Sequence, residues 1–469
     1  MNDIRPFRGL RFDERVVGPV GQVVCPPYDV ISAEEQISLY GRNPHNVVRL
    51  ELGLEFPEDD ASSNRYTRAA ATLQRWLAER ALREEAEPAL YLYEQQFSYE
   101  GETLVRRGLL AALRLAPWEE GVVLPHEETM AGPKADRLEL MRATACDLSP
   151  IFLLFDDPSG TLSQMMAEAA RHPADVTADT GDGQLHRLWV LPAAGHRDLL
   201  AALQKPQLYM ADGHHRYETE MAYRDERRRA EGANPPAPFP TGEGGEDSPP
   251  LVGEGAGERS VEAPYDFGMM LLVDALDPGL VVLPTHRMVR GVEPGVLAVL
   301  DAGLSADFLV ERVATEGLDA AGVAGALLRR MRELGDRGAA LGIYRPGVEA
   351  AVLTPRPGVQ DRLMPREAPL ASDVQRRPFL DVDLLHDGLL MPLLGIGPEQ
   401  LRAGAHVLYT RDAAEAVAVV EKGSAQVAFL LNPTRVEQVM ETARAGGKMP
   451  QKSTYFYPKP VTGSVIYRL

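Results

Sequence analysis

Five consecutive residues, Asp212-Gly213-His214-His215-Arg216, bring a carboxylate, a turn-forming glycine, two imidazoles and a guanidinium to one point of the chain. An Asp-Gly pair alone makes a turn. Two histidines and an arginine beside it are poor turn formers and suit no buried position, so the cluster is read as a site. Upstream, residues 207–211 are β-type; downstream, about four turns keep helical spacing with no Gly or Pro until Gly232. A strand that turns into a helix aims free backbone N–H groups and the positive end of the helix dipole at that turn. With Arg216 able to grip oxygens in pairs, the expected ligand is a phosphate or carboxylate. Gly213 lets the backbone approach closely. His214 or His215 could shuttle a proton or stabilise developing charge near neutral pH. Asp212 could cap the helix, fix a histidine tautomer or bind Mg²⁺ through oxygen.

A second dense polar stretch runs from Leu124 to Arg137 and holds His126-Glu127-Glu128-Thr129 followed by Lys134, Asp136 and Arg137. It lacks the second histidine of a His-Glu-x-x-His zinc helix. Pro125 before it and Gly132-Pro133 within it predict a loop, where functional groups concentrate. Glu127 or Glu128 is the general-base candidate if a hydroxyl is to be activated, and Thr129, Lys134 and Arg137 are phosphate-binding candidates. The bland alternative is a solvated charged loop. Two further groups are weighed evenly between function and a bland role, a surface cluster at a strand end for the first and a tail packed on the sheet for the second. His286 and Arg287 follow a strand and a proline, and Lys452 belongs to a Lys/Ser/Thr/aromatic stretch over residues 448–459. Cys25 and Cys146 have no adjoining positive partner and read as small core residues.

The elements that must position these groups alternate strand and helix. A helix is expected over residues 66–86, a hairpin over 89–97 and 102–113 with its turn at 99–102, and a helix over 138–145. A strand over 150–155 and helix-strand-helix over 160–203 lead into the Asp-Gly turn. Later strands are expected at 267–273, 281–283, 340–344, 350–353, 427–431 and 464–467. Mixed sheets flanked by helices, α/β or α+β, are the predicted class. Four regions follow: 1–115, 116–228 with the two principal motifs, an insertion over 229–264, and 265–469. The insertion is acidic and rich in Pro and Gly, a composition that buries no core. No internal repeat or coiled-coil pattern is visible.

The totals restrict the partners. A net charge of −19 excludes general binding to nucleic acid or anionic membranes, so an anionic ligand needs a local positive cluster. Two cysteines make no disulfide framework and fit a reducing cytoplasm. No apolar run approaches the ~18 residues that span a bilayer. A cytoplasmic protein acting on a small molecule is expected.

These stretches together resemble the prokaryotic family of domain of unknown function 1015 (DUF1015). The resemblance rests on Pro6-Phe7-Arg8-Gly9-Leu10, Pro26-Pro27-Tyr28-Asp29-Val30 and Leu124-Pro125-His126-Glu127-Glu128-Thr129. It continues through Asp212–Thr219, Leu283–Arg287 and Met449–Phe456, spanning nearly the whole chain. Locally, the Gly-His-His-Arg turn resembles the phosphate-binding turn of the ParB/sulfiredoxin superfamily, whose free-serine kinases carry an Asp-Gly-His-x-Arg form. That likeness implies a nucleotide-binding core in which Gly213, His214, His215 and Arg216 meet the phosphates of ATP or ADP with Mg²⁺. The sulfiredoxin cysteine is replaced by His214, which disfavours sulfinic-acid repair.

The expected activity is nucleotide-dependent phosphoryl transfer to a small hydroxyl-bearing metabolite such as free serine, with Glu127 and His214 as catalytic groups. The alternatives are a metal-dependent hydrolase with His126, Asp212, His214 and His215 as ligands, or a non-catalytic nucleotide-binding module. In each, Asp212 and His126 are the first metal-ligand candidates.

Overall fold

Residues 89–114 alternate large apolar side chains on both faces, a pattern that requires cover on both sides of the sheet they enter. In the computed structural model, Ala89–Tyr99 and Glu102–Arg114 form the expected antiparallel hairpin, with Tyr99 opposite Glu102. Its two-residue loop, Glu100-Gly101, has φ of 48° and 85°, the left-handed geometry that matches the twist of paired strands. Leu90, Leu92, Leu109 and Ala111 join one buried cluster, while Tyr91 and Tyr93 are buried on the opposite face. The structure describes residues 2–127, 131–232, 262–335, 338–346, 349–363, 378–450 and 452–469. Most of the acidic insertion and Thr129 lie outside the described residues.

The chain divides into two compact units. The first joins Met1–Pro125, Thr129–Leu280 and Pro458–Leu469. Its main sheet has nine strands among the described residues. In spatial order they are Val123–Leu124, Leu208–Asp212, Ile151–Phe155, Phe267–Asp274, Glu102–Arg114, Ala89–Tyr99, Leu185–Pro192 and Val176–Asp179, with Ile4–Arg5 beside Glu102–Arg114. The sheet is mixed: Leu208–Asp212 runs parallel to Val123–Leu124, and Phe267–Asp274 runs parallel to Ile151–Phe155. The other pairings are antiparallel. Helices flank it, so the mixed-sheet class expected from the sequence is observed.

The second unit joins His126–Glu128 to Val281–Tyr457. Its six-stranded sheet is antiparallel throughout, in the order Phe308–Arg312, Glu349–Pro355, Leu341–Arg345, Val427–Leu431, His286–Val289, Val407–Thr410. Helices Ala320–Gly335 and Ala413–Glu421 pack on it through Val323, Leu327, Met331, Val417 and Val420.

These units cut across the linear regions drawn from composition. Phe267–Asp274, which the sequence groups with the C-terminal region, is a central strand of the first unit because it pairs with both Glu102–Arg114 and Ile151–Phe155. Two local differences also matter. The helix expected over 66–86 is Arg65–Ala78; Arg80 then takes φ 59° and Leu82–Glu84 pairs with Leu10–Phe12. The expected loop around Lys134 and Arg137 is instead helix Ala131–Thr144. Pro133 stands in its first turn, where backbone N–H groups have no intrahelical partner and proline is tolerated.

Candidate functional site

The strand Leu208–Asp212 is apolar until its last residue and runs straight into the 17-residue helix His214–Ala230. Gly213 makes the junction with φ 102° and ψ 23°, a left-handed conformation that glycine adopts without strain. It also sets a close approach, since a Cβ there would lie 3.2 Å from an Arg216 guanidinium nitrogen. The helix is fastened behind the turn by Tyr217, whose hydroxyl donates to the Ala116 carbonyl at 2.8 Å and whose ring stacks on Trp118 with centres 4.4 Å apart. Among the described residues, no side chain caps the helix start.

Around the turn the first unit collects an ion cluster. Arg216 donates to the Pro150 carbonyl at 2.6 Å and to Asp212 Oδ2 at 2.7 Å. Lys459 Nζ lies 2.9 Å from Asp212 Oδ1 and also pairs with Asp29. Lys459 is nearly buried, whereas the Asp29 and Asp212 side chains keep 39% and 24% of their surface. Desolvation pushes the Asp212 carboxyl up, but Lys459 and then Arg216 outweigh it and hold it well below the usual carboxylate range. Burial works against the Arg216 charge, and Asp212, Asp29 and Tyr28 more than restore it. Burial of Lys459 is likewise overcome by Asp212 and Asp29, which raise its pKa. Both cations and Asp212 therefore carry their charges at neutral pH.

The helix Ala131–Thr144 supplies two more of the expected residues to this unit. Lys134 Nζ lies 2.5 Å from Glu218 Oε2. Burial and then the Lys134 charge lower the His215 pKa, with Glu218 and Asp212 opposing them, so its imidazole is largely neutral at pH 7. Arg137 is buried; it stacks over Tyr28 at 4.1 Å and pairs with Asp136 and Glu51. It thereby holds the Pro26-Pro27-Tyr28-Asp29 turn that presents Asp29. His214 is buried at the helix start.

The remaining candidates meet in the second unit. Thr454 Oγ1 lies 3.1 Å from His126 Nε2 and donates to Glu127 Oε1 at 3.4 Å, and Met449 N donates to the His126 carbonyl at 2.7 Å. His286 Nδ1 accepts from the Leu431 amide at 3.2 Å, and burial lowers its pKa to about 4. Arg287 donates to the carbonyls of Thr285 and Lys452, and Lys452 Nζ lies 4.7 Å from the Tyr409 ring centre. The twelve described candidates therefore fall into two groups. Asp212, Gly213, His214, His215, Arg216, Lys134 and Arg137 belong to one unit, and His126, Glu127, His286, Arg287 and Lys452 to the other.

Two members of the first cluster escaped the sequence reading. Asp29 was visible only as part of a proline turn. Lys459 shares the 448–459 stretch with Lys452, and its only distinguishing signal is Pro458 and Pro460 on either side, which fix an extended segment with a single charged side chain. Among the described residues, no group of three or more His, Cys, Asp or Glu side chains is placed to hold a metal ion.

With this geometry in view, the family follows from a model for "protein of unknown function (DUF1015)", which matches residues 4–370. The chain belongs to the DUF1015 family. No curated protein matches it. Among solved structures, a conserved hypothetical protein from Pyrococcus furiosus aligns at 13% identity and TM-score 0.31, covering 74% of this chain and 90% of that one. A free serine kinase in complex with AMP aligns at 12% identity and TM-score 0.33, covering 74% and 86%. A point variant of a free serine kinase with ADP aligns at 11% identity and TM-score 0.34, covering 74% and 87%. Among the described residues of this DUF1015 chain, no helix is long and apolar enough to cross a membrane.

Proposed function

We propose that this DUF1015 protein is a nucleotide-dependent phosphotransferase acting on a small hydroxyl-bearing metabolite, free serine being the first to try. The observation that carries the reading is the left-handed Gly213 junction at a helix start, with Arg216 folded over it and the Lys459 charge behind Asp212. In a protein of net charge −19, a guanidinium and an ammonium beside a helix N-terminus, each paired with a carboxylate, are the local groups that phosphate oxygens could recruit. The Asp-Gly-His-x-Arg form of free-serine kinases supports the same assignment at the level of local sequence.

Phosphoryl transfer asks a protein chiefly for positioning and for charge placed where negative charge develops. Here the helix N-terminus and Arg216 would hold the phosphates, with Lys134 and His215 adjacent and His214 at the first helical position. Arg216 is already bonded to Asp212, so an incoming phosphate exchanges one anionic partner for another rather than meeting a bare charge. Mg²⁺, entering with the nucleotide, would neutralise phosphate charge, and Asp212 is the oxygen donor that fits it. The acceptor hydroxyl needs a carboxylate to take its proton. Glu127 remains the candidate from the sequence; Asp29, partly exposed and in the same unit as the turn, is the second.

The test is a thermal-shift screen of the full chain and Arg216→Ala against nucleoside mono-, di- and triphosphates with Mg²⁺, followed by ³¹P NMR of the binding nucleotide with serine and related alcohols. At a hundredfold excess over Kd, binding adds about 2.7 kcal/mol and moves Tm by several degrees. A shift that Arg216→Ala cuts to half or less, and a new phosphomonoester signal, are expected. No shift with any nucleotide overturns the reading.

A further inference from the structure

Arg216 also borders a cavity of about 40 Å³ in the first unit. Arg216, Glu220 and Asp147 all line it. Glu220 follows Arg216 by one helical turn and so lies on the same helix face. Both carboxyls are 3% exposed. Asp147 Oδ2 accepts the Met269 amide at 3.0 Å. Asp147 Oδ1 and Glu220 Oε2 are buried and accept no hydrogen bond from the described residues. Glu220 reaches this depth because position 268 is glycine: a Cβ there would fall 1.9 Å from Glu220 Oε2.

Two buried carboxylates facing one small space are strongly unfavourable unless cations neutralise them. The cations at hand have other commitments. Arg137 is paired with Asp136 and Glu51, and Arg216 with Asp212 and the Pro150 carbonyl. Glu51 adds negative charge to the cavity wall. Cys146, Tyr223 and Tyr467, which also face the pair, are held neutral by burial, as is Tyr217 beside Glu220. A proton is the remaining counter-charge, and the cavity has room for a bridging water.

We propose that Asp147 and Glu220 hold one proton between them, directly or through a cavity water, and act as positioning residues for Arg216. The pair then presents one negative charge to the back of the guanidinium, leaving it free to face Asp212 and an incoming phosphate. Loss of the proton sets two charges there and draws the guanidinium inward. The role assigned to Arg216 rests on the phosphotransferase reading; the shared proton does not. Burial raises both acids, Asp147 to about 7, with Glu220 pushed up further by its neighbour. The sign follows: raised carboxyl pKa values stabilise the fold at low pH, and that contribution is lost as pH climbs from about 4 through 7.

The test uses the full chain without ligand. Tm is followed from pH 5 to 9 for wild type, Glu220→Gln and Asp147→Asn, together with the Arg216 Nε–H resonance, assigned by its loss in Arg216→Lys. In wild type, Tm should fall by about 3–6 °C between pH 5 and 7, and the Arg216 resonance should move as that fall levels off. Either amide should flatten both curves by removing one member of the pair. Should both amides fail to fold, the wild-type resonance decides alone. An Arg216 signal indifferent to pH, or parallel curves in wild type and a folded amide variant, overturns the proposal. Both readouts are independent of nucleotide, so failure of the phosphotransferase reading would show separately, as absent nucleotide shifts.

Discussion

The two polar clusters use similar residues in opposite ways. Around Asp212, ions are paired and partly wet: Asp29 and Asp212 remain accessible, and Arg216 and Lys459 are held charged by them. Around His286, the same kinds of side chain are dry. His286 and Arg287 are each 1% exposed; burial lowers His286 to about 4 and Arg287 to about 10. His386, also near Arg287, is lowered to about 3. The cause is placement. Asp212 ends a strand at a helix start, whereas His286 and Arg287 lie in a strand with neighbours on both sides. Charge that is paired at a turn can be handed to a ligand; charge stripped of water inside a sheet mainly fixes the backbone around it.

The sharpest way to break that contrast is to remove one carboxylate from each cluster. Asp29→Asn and Glu127→Gln keep size and most hydrogen bonds while abolishing basicity. Loss of a general base costs about 10²- to 10⁴-fold in rate. If the wet cluster holds the acceptor, Asp29→Asn should show that loss in serine phosphorylation while Glu127→Gln stays within a few fold. The reverse result assigns the base to Glu127.

Next in size is the arginine pair. Arg216→Ala should weaken nucleotide binding about 10- to 100-fold, in line with one charge-assisted bidentate contact. Arg287→Ala should instead lower Tm, because the Thr285 and Lys452 carbonyls lose their donor, while the nucleotide-induced shift survives in the folded fraction. A lost shift in Arg287→Ala would place both clusters on the nucleotide.

How far the sequence announced this depends on range. The Asp212–Arg216 turn was legible because its cause is local: an apolar strand, a glycine and a helix follow one another within a few residues. The hairpin over 89–114 was legible for the same reason. Lys459 joins Asp29 across 430 positions, a distance over which no periodicity speaks. The buried state of His286 was equally hidden, since a short polar segment after a proline resembles a surface cluster until its strand partners are known. Pro133 suggested a loop because a proline near a helix start and a proline breaking a helix look alike in sequence.

Lys459 gives a smaller, electrostatic test. Lys459→Met keeps the stem but strands two carboxylates; partial exposure of Asp29 and Asp212 limits the cost to about 1–3 kcal/mol. Asp212 is held below its free value, so its stabilising contribution exists above about pH 4 and is lost as pH falls further. The Tm gap between wild type and Lys459→Met should therefore be widest near neutrality and close below pH 4. A gap constant with pH would mean that Lys459 acts through packing.

The smallest effect belongs to His286. Its folded value, about 4, lies below that of a free imidazole, so its neutral form stabilises the second unit above about pH 6.5. That contribution is lost progressively as pH falls from there towards 4. His186 in the first unit is lowered to about 4 by burial as well, so a global melt would mix the two units. Hydrogen exchange at the Leu431 amide, which donates to His286 Nδ1, isolates the second. Protection there should weaken about twentyfold between pH 7 and 5 after correction for intrinsic exchange, an effect of about 1.8 kcal/mol. In His286→Gln, which retains an acceptor but cannot gain a proton in this range, protection should hold steady. Equal behaviour in both proteins would mean that His286 is solvated, and the contrast between a wet and a dry cluster would fail.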